Sequence, residues 1–167
     1  AAVHGYCRAG GVVLALAGDV TVAAVGTRFG EPPPRFGSGI IALLLPWVAG
    51  PKATKELLLT GTDQVDARRA MEMGIVNHVV PLGQQFDKAL AIANDMAASA
   101  PLSVQMTKRA INRTYEMMGM RQALLAALDT DVLIEAQGGP ERAEFNRIRR
   151  EKGLKAALEW RDARFKQ

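Results

Sequence analysis

The sequence predicts a mixed α/β fold, with short strands and glycine turns across residues 1–81 and helices across residues 82–167. Three observations carry that division. Up to Pro81 the apolar runs are short, β-rich and broken by Gly or Pro; beyond it long stretches of helix formers are divided only by Pro101, Gly119, Gly138-Gly139-Pro140 and Gly153. The chain has 167 residues, 49% hydrophobic and 23% charged, which is enough apolar material for one ordinary core.

Taken in order, Ala1 to Val3 opens as an apolar strand, and Arg8-Ala9-Gly10-Gly11 makes a glycine turn. A short buried helix follows to Ala17, and Val20-Thr21-Val22-Ala23-Ala24 reads as a second strand. Small residues at Ala9, Gly10 and Gly11 leave backbone N–H groups uncovered where a helix begins, a place that welcomes a ligand's negative oxygen; the same residues also suit a tight turn with no ligand. Phe29 to Gly39 holds Pro32, Pro33 and Pro34 beside three glycines and is expected to be a loop. Ile40 to Val48 is continuously apolar, Pro51 marks a helix start and Gly61 its stop. Asp66 is placed to cap a helix running through Met73, with Ile75 to Val80 as a strand carrying His78 on its surface. The helices then fall at Phe86 to Ala98, Leu102 to Met118, Met120 to Ala136, Glu141 to Arg150 and Leu154 to Arg161. The second of these is expected to bury a stripe through Val104, Lys108, Ile111 and Tyr115, with Met117, Met118 and Met120 as core or helix-contact filler.

Composition narrows the function. The single cysteine, Cys7, forms no internal bridge, which argues against a small secreted disulfide fold and makes the cytoplasm the default. The longest uncharged run, Phe36 to Pro51, is shorter than the roughly 20 apolar residues of a membrane helix and contains Pro46, and no export signal is visible. The net charge of +4 is uneven. Residues 1–100 carry eight Lys/Arg against eight Asp/Glu, and residues 101–167 carry thirteen against nine. Nucleic-acid binding is a weak reading of that excess, because no basic stripe interleaves with the nine aromatic residues.

Several stretches, in order, resemble the crotonase (enoyl-CoA hydratase/isomerase) superfamily. Val3-His4-Gly5-Tyr6 to Asp19 is similar to its AAVNGxAxGGGxELALxCD segment, and Thr27-Arg28-Phe29-Gly30-Glu31-Pro32 to its ARFGxPE segment. Glu56 to Gly61 and Ala67 to Val80 resemble LLLTG and AxxAxxxGLVxxVVP, and Gly153 to Arg161 with Phe165 resembles the ending GxxAFLEKRxPxF. The match covers essentially the whole sequence and reads as the C-terminal two-thirds of the usual chain. The resemblance implies a ββα spiral core through residue 81, truncated at its N-terminus, followed over residues 82–167 by a helical trimerisation and CoA-binding region. It also implies acyl-CoA thioester substrates, coenzyme A entering only as part of the substrate with no metal or other cofactor, and assembly as a homotrimer or dimer of trimers.

By the same resemblance Gly10 supplies one oxyanion-hole N–H for the thioester enolate, and a segment upstream of Ala1 supplies the other. Hydratases of the family use two glutamates, and both positions are changed here: Val13 stands in the GGxxE position and Pro33 in the FGxPE position. Neither side chain transfers a proton, so crotonyl-CoA hydration is expected to be negligible unless Glu31 or another group does that work. Glu31, two residues before Pro33, is the best surviving acid/base candidate, against the alternative of a solvated loop carboxylate. Asp19 is read as structural, and Arg35 as meeting either a CoA phosphate or solvent. Arg161 and Phe165 match the tail that holds the adenosine-phosphate end of CoA, with ordinary helix-surface charge as the other reading. Two functions stay open: an enoyl-CoA hydratase/isomerase-type enzyme with altered equipment, or a catalytically inactive acyl-CoA binding or assembly subunit.

Overall fold

The computed structural model describes residues 1–39 and 43–165. Its strands alternate between two small sheets. β1 (Ala2–Val3), β3 (Val22–Ala24) and β6 (His78–Val80) form a parallel sheet in the order β1-β3-β6; β2 (Tyr6–Arg8), β4 (Arg28–Gly30) and β5 (Val65–Asp66) form the other in the order β2-β4-β5. The register pairs Val22 with Ala2 on one side and His78 on the other, and Arg28 with Tyr6 and Asp66. The chain changes sheet twice within a few residues, between β1 and β2 and between β3 and β4. Gly5 (φ 69°) and Gly26 (φ 88°) sit at those corners in a backbone region costly for other residues. Strand pairs that switch sheets, with a helix after the first pair, give the expected ββα spiral.

β3 is central in its sheet, and Val22, Ala23 and Ala24 are wholly buried, which explains an uninterrupted apolar run rather than an alternating one. The main core gathers Val12 and Ala15 of α1 (Gly10–Leu16), Phe29 of β4, Leu57 of α3 (Gly50–Thr60) and Ala67 and Ala70 of α4 (Ala67–Glu72). Pro51 lies in the first turn of α3, and Gly61 closes that helix in the left-handed conformation at φ 63°. Asp66 caps α4, its Oδ1 accepting from the Arg69 amide at 2.8 Å, an arrangement worth about 1 kcal/mol.

Helices α5 (Gln85–Ala98), α6 (Pro101–Met117), α7 (Met120–Gln137) and α8 (Pro140–Ala163) follow; α8 is broken at Gly153, which separates the two helices the sequence predicts there. A second, smaller core of Phe145, Ile148 and Ala157 fastens α8 to Phe36, whose ring stacks on Phe145 at 4.7 Å. No described helix is long and apolar enough to cross a membrane.

Three expectations are corrected, and one further stretch lies partly outside the described residues. The stretch Phe29 to Gly39 is not all loop: β4 extends to Gly30, and Pro33–Phe36 winds one 3₁₀ turn, since proline presets φ and the first turn needs no amide donor. Ile75 and Val76 belong to a buried turn after Gly74 rather than to β6. Of the apolar run Ile40 to Val48, residues 40–42 lie outside the described residues, and Leu45–Val48 forms the short helix α2. Finally, α6 buries none of its residues. Ile111 is 52% exposed, Met117 and Met118 more so, because α6 packs chiefly on α7 and the described residues leave most of its apolar stripe uncovered. Asp19 is at the surface, where it pairs with Lys108 of α6.

Candidate functional site

The site begins at the turn between β2 and α1. Ala9 sits at φ 48°, ψ −118°, and is the one non-glycine residue with positive φ among those described; its amide donates to Gly30 O at 3.0 Å, tying the turn to the end of β4. Strain of this kind costs about 1–3 kcal/mol and persists where surrounding structure enforces it. Gly10 is the first residue of α1. Its N–H precedes the first intrahelical donor, Val13 N to Ala9 O, and so has no acceptor within the helix.

β4 delivers the next residue. A Cβ on Gly30 would overlap Asp63 Cα and Thr62 O, so only glycine lets β4 approach that closely, and the Glu31 amide then donates to Thr62 O at 2.9 Å. With its backbone so held, Glu31 is 2% exposed and its side chain lines a cavity of about 340 Å³ together with Ala9 and Gly10. Val13 and Pro33 line the same cavity. The structure therefore brings together the four residues that sequence reasoning placed at the reaction centre. Glu31 is not the solvated loop carboxylate of the alternative reading: burial pushes its carboxyl from the usual 4.5 up to about 7. Cys7, also buried, is pushed up to about 11, first by burial and then by the charge of Glu31.

The opposite wall comes from α7 and was not anticipated. Asp131 and Glu135 line the cavity with Ser38 and Gly39. Glu135 accepts from Ser38 Oγ at 2.6 Å and from the Gly39 amide at 3.0 Å, and pairs with Arg142. These donors, Ser38 foremost, then Gly39 and Arg142, hold its carboxyl down at about 2. The segment after the proline turn is thereby pinned to the helical region. Sequence offered only one signal for this wall, the i, i+4 spacing of two acidic residues on a helix otherwise rich in Leu and Ala.

A cavity of this size lies at the lower end of small-molecule sites, about 300–1,000 Å³. It suits the reacting end of a ligand rather than a whole nucleotide conjugate. An amide donor beside a carboxyl near neutrality equips it to stabilise an oxyanion and to give or take a proton.

The residues expected to meet CoA are placed elsewhere. Arg161 is 5% exposed, with its guanidinium on Asp63 Oδ2 at 3.3 Å and on Asp162 Oδ1 at 2.7 Å, so two carboxylates of this chain hold it. Asp63 also receives Arg8 at 3.3 Å and Arg35 at 3.8 Å. Arg35 is partly buried; it donates to Thr60 O and lies over the Phe165 ring at 4.3 Å. These arginines form an internal cluster on one buried carboxylate, with half-exposed Phe165 at its edge.

The comparisons agree with this fold. The family model described as enoyl-CoA hydratase/isomerase matches residues 1–167. A crystal structure of an enoyl-CoA hydratase/isomerase from Xanthobacter autotrophicus Py2 is similar at 49% identity and a TM-score of 0.95, covering 99% of this chain and 62% of that one. Carnitinyl-CoA dehydratase of Citrobacter koseri is 39% identical over 121 residues, 70% of this chain and 46% of the relative. Mevalonyl-coenzyme A hydratase of Beauveria bassiana is 38% identical over 112 residues, 65% of this chain and 40% of the relative. The chain thus spans under half the length of these two relatives. With the motifs in order, the alternating two-sheet spiral and a match along the entire sequence, the chain belongs to the enoyl-CoA hydratase/isomerase family.

Proposed function

We propose that this protein binds acyl-CoA thioesters and stabilises the thioester enolate, with the Gly10 N–H at the developing oxyanion and Glu31 moving the proton in hydration or isomerisation of an enoyl-CoA. The observation that carries this reading is the shared cavity: the turn amide and a buried carboxyl titrating near neutrality line one small space. A preorganised N–H donor lowers such a barrier by about 3–4 kcal/mol, and a positioned acid or base contributes about 10²–10⁴-fold. Coenzyme A enters as part of the substrate, and the chemistry uses no further cofactor.

A second reading is a catalytically inactive acyl-CoA binding or assembly subunit. Val13 and Pro33 favour it, since both face the cavity where the family resemblance expects carboxylates. The two separate in one experiment. Butyryl-CoA in D₂O, followed by NMR for loss of α-protons, reports enolate formation, and calorimetry reports binding. Exchange that falls at least 10²-fold in Glu31→Gln supports the enzyme; binding without exchange supports the inactive subunit; no binding overturns both.

Assembly and location follow the same reading. Met106 of α6 and Leu125, Leu128, Val132 and Leu133 of α7 are between 42% and 61% exposed, an apolar surface that a homotrimer or dimer of trimers would cover. A lone buried cysteine suits the reducing cytoplasm.

A further inference from the structure

Val13 and Pro33 leave the β-side of the cavity with one carboxyl, Glu31, which is almost fully buried and has no side-chain hydrogen-bond partner among the described residues. A lone carboxyl can carry a proton between two carbons of a substrate. Adding water demands more: one group must take a proton from the attacking water while another delivers a proton to carbon.

The second group comes from α7. Asp131 and Glu135 lie four residues apart and so share one helix face. Glu135 is committed to Ser38, Gly39 and Arg142, and these donors leave it a fixed anion with little basicity. Asp131 lines the cavity and, among the described residues, makes no ion pair or hydrogen bond through its side chain. Its seat depends on Gly39, because a Cβ there would overlap Asp131 Oδ1. A bare backbone at 39 thus lets the Asp131 carboxylate reach the cavity wall, while Glu135, one turn on, locks that backbone in place.

We propose that Asp131 and Glu31 form the proton-transferring pair of this cavity, replacing across the α7 wall the carboxylates absent at Val13 and Pro33. The inference rests on reading the cavity as an acyl-CoA site. In hydration, a water O–H bond breaks and its proton passes to Asp131 as the oxygen bonds to the acyl β-carbon. The π electrons move to the thioester oxygen, held by the Gly10 N–H. The enolate then re-forms the thioester carbonyl as the α-carbon takes the Glu31 proton, and the proton on Asp131 returns through solvent to Glu31. The net change is addition of one water. A cavity of about 340 Å³ has room for an acyl head beside a water, whose share of liquid volume is about 30 Å³.

The test separates hydration from enolate formation in the same protein. Crotonyl-CoA hydration needs both carboxylates, whereas α-proton exchange of butyryl-CoA in D₂O needs only Glu31. Asp131→Asn should lower hydration at least 10²-fold while exchange stays within threefold of wild type, and Asp131→Glu should restore part of the hydration. Gly39→Ala, which displaces the Asp131 carboxylate without changing it, should reproduce the same split. Hydration undiminished in Asp131→Asn overturns the pair, as does parallel loss of both activities, the mark of a structural role. Wild type that exchanges without hydrating overturns it too, yet leaves the acyl-CoA reading standing. Wild type that neither binds butyryl-CoA nor exchanges its protons refutes that reading and the pair together.

Discussion

Replacing Glu31 by Gln should make the protein more stable at alkaline pH and no more stable at acidic pH. The carboxyl titrates near 4.5 when solvated and at about 7 in the fold, where burial disfavours its charge. Between those values the folded chain holds more protons than the unfolded chain, so stability falls as pH rises through this window and levels off above it. At about 1.4 kcal/mol per tenfold change in proton affinity, ionising Glu31 at pH 8 costs about 3 kcal/mol. Below pH 4.5 the residue is neutral in both states and the cost vanishes. Glutamine keeps the shape and removes the charge. Urea unfolding at pH 8 should therefore favour Glu31→Gln by about 3 kcal/mol, a rise in Tm of roughly 6–12 °C for a domain of this size, and at pH 4 the two proteins should coincide. The same variant should lose α-proton exchange, which is the trade expected of a group held against its solvation preference to do chemistry. A difference between the two proteins that is the same at pH 4 and pH 8 would refute the reasoning.

Other expectations follow from particular contacts. Gly30→Ala should destabilise the chain by about 1–3 kcal/mol or more, because its Cβ meets the backbone of Thr62 and Asp63 rather than a movable side chain; an unchanged urea midpoint would deny the close approach of β4 to that segment. Ala9→Gly should raise stability by about 1 kcal/mol, the relief of a positive φ less the added freedom of glycine in the unfolded chain, and a lower Tm would show that Ala9 is unstrained. Leu128→Asp should shift wild-type oligomers toward monomer or unfold them, as sedimentation velocity would show; a wild type already monomeric at micromolar concentration would remove the assembly role of α7.

Much of this was legible in the sequence because it depends on neighbours along the chain. Gly61 and Asp66 end and begin helices by local backbone rules, and both fell where punctuation put them. The glycine turn before α1 was equally local. Burial was harder to read. The amphipathic stripe of α6 reads as a buried face, but amphipathicity says that a helix wants a partner and not that its own chain provides one. The surroundings of Arg161 and Arg35 were illegible for the complementary reason: a basic residue looks alike in sequence whether or not it pairs with a buried Asp63, and Asp63 carries no local mark of its depth.

The α7 wall shows where sequence patterning stops. Gly39 and Glu135 lie 96 positions apart, and no periodicity or cap relates them; packing of α8 on the proline turn, through Phe36 and Phe145, helps bring α7 to the cavity. That packing turns the helical region into part of the site. Glu31 is buried because β4 is squeezed against Thr62 and Asp63, whereas Asp131 reaches the cavity because residue 39 has no side chain, so the two carboxyls owe their positions to two different glycines. Each glycine is replaceable without changing the identity of a titrating group. Substituting Gly30 should lower stability through the strands, and substituting Gly39 should move Asp131 and spare the fold. A chain in which Gly39→Ala costs more stability than Gly30→Ala would mean that the segment after the proline turn is structural and that α7 holds it for the fold alone.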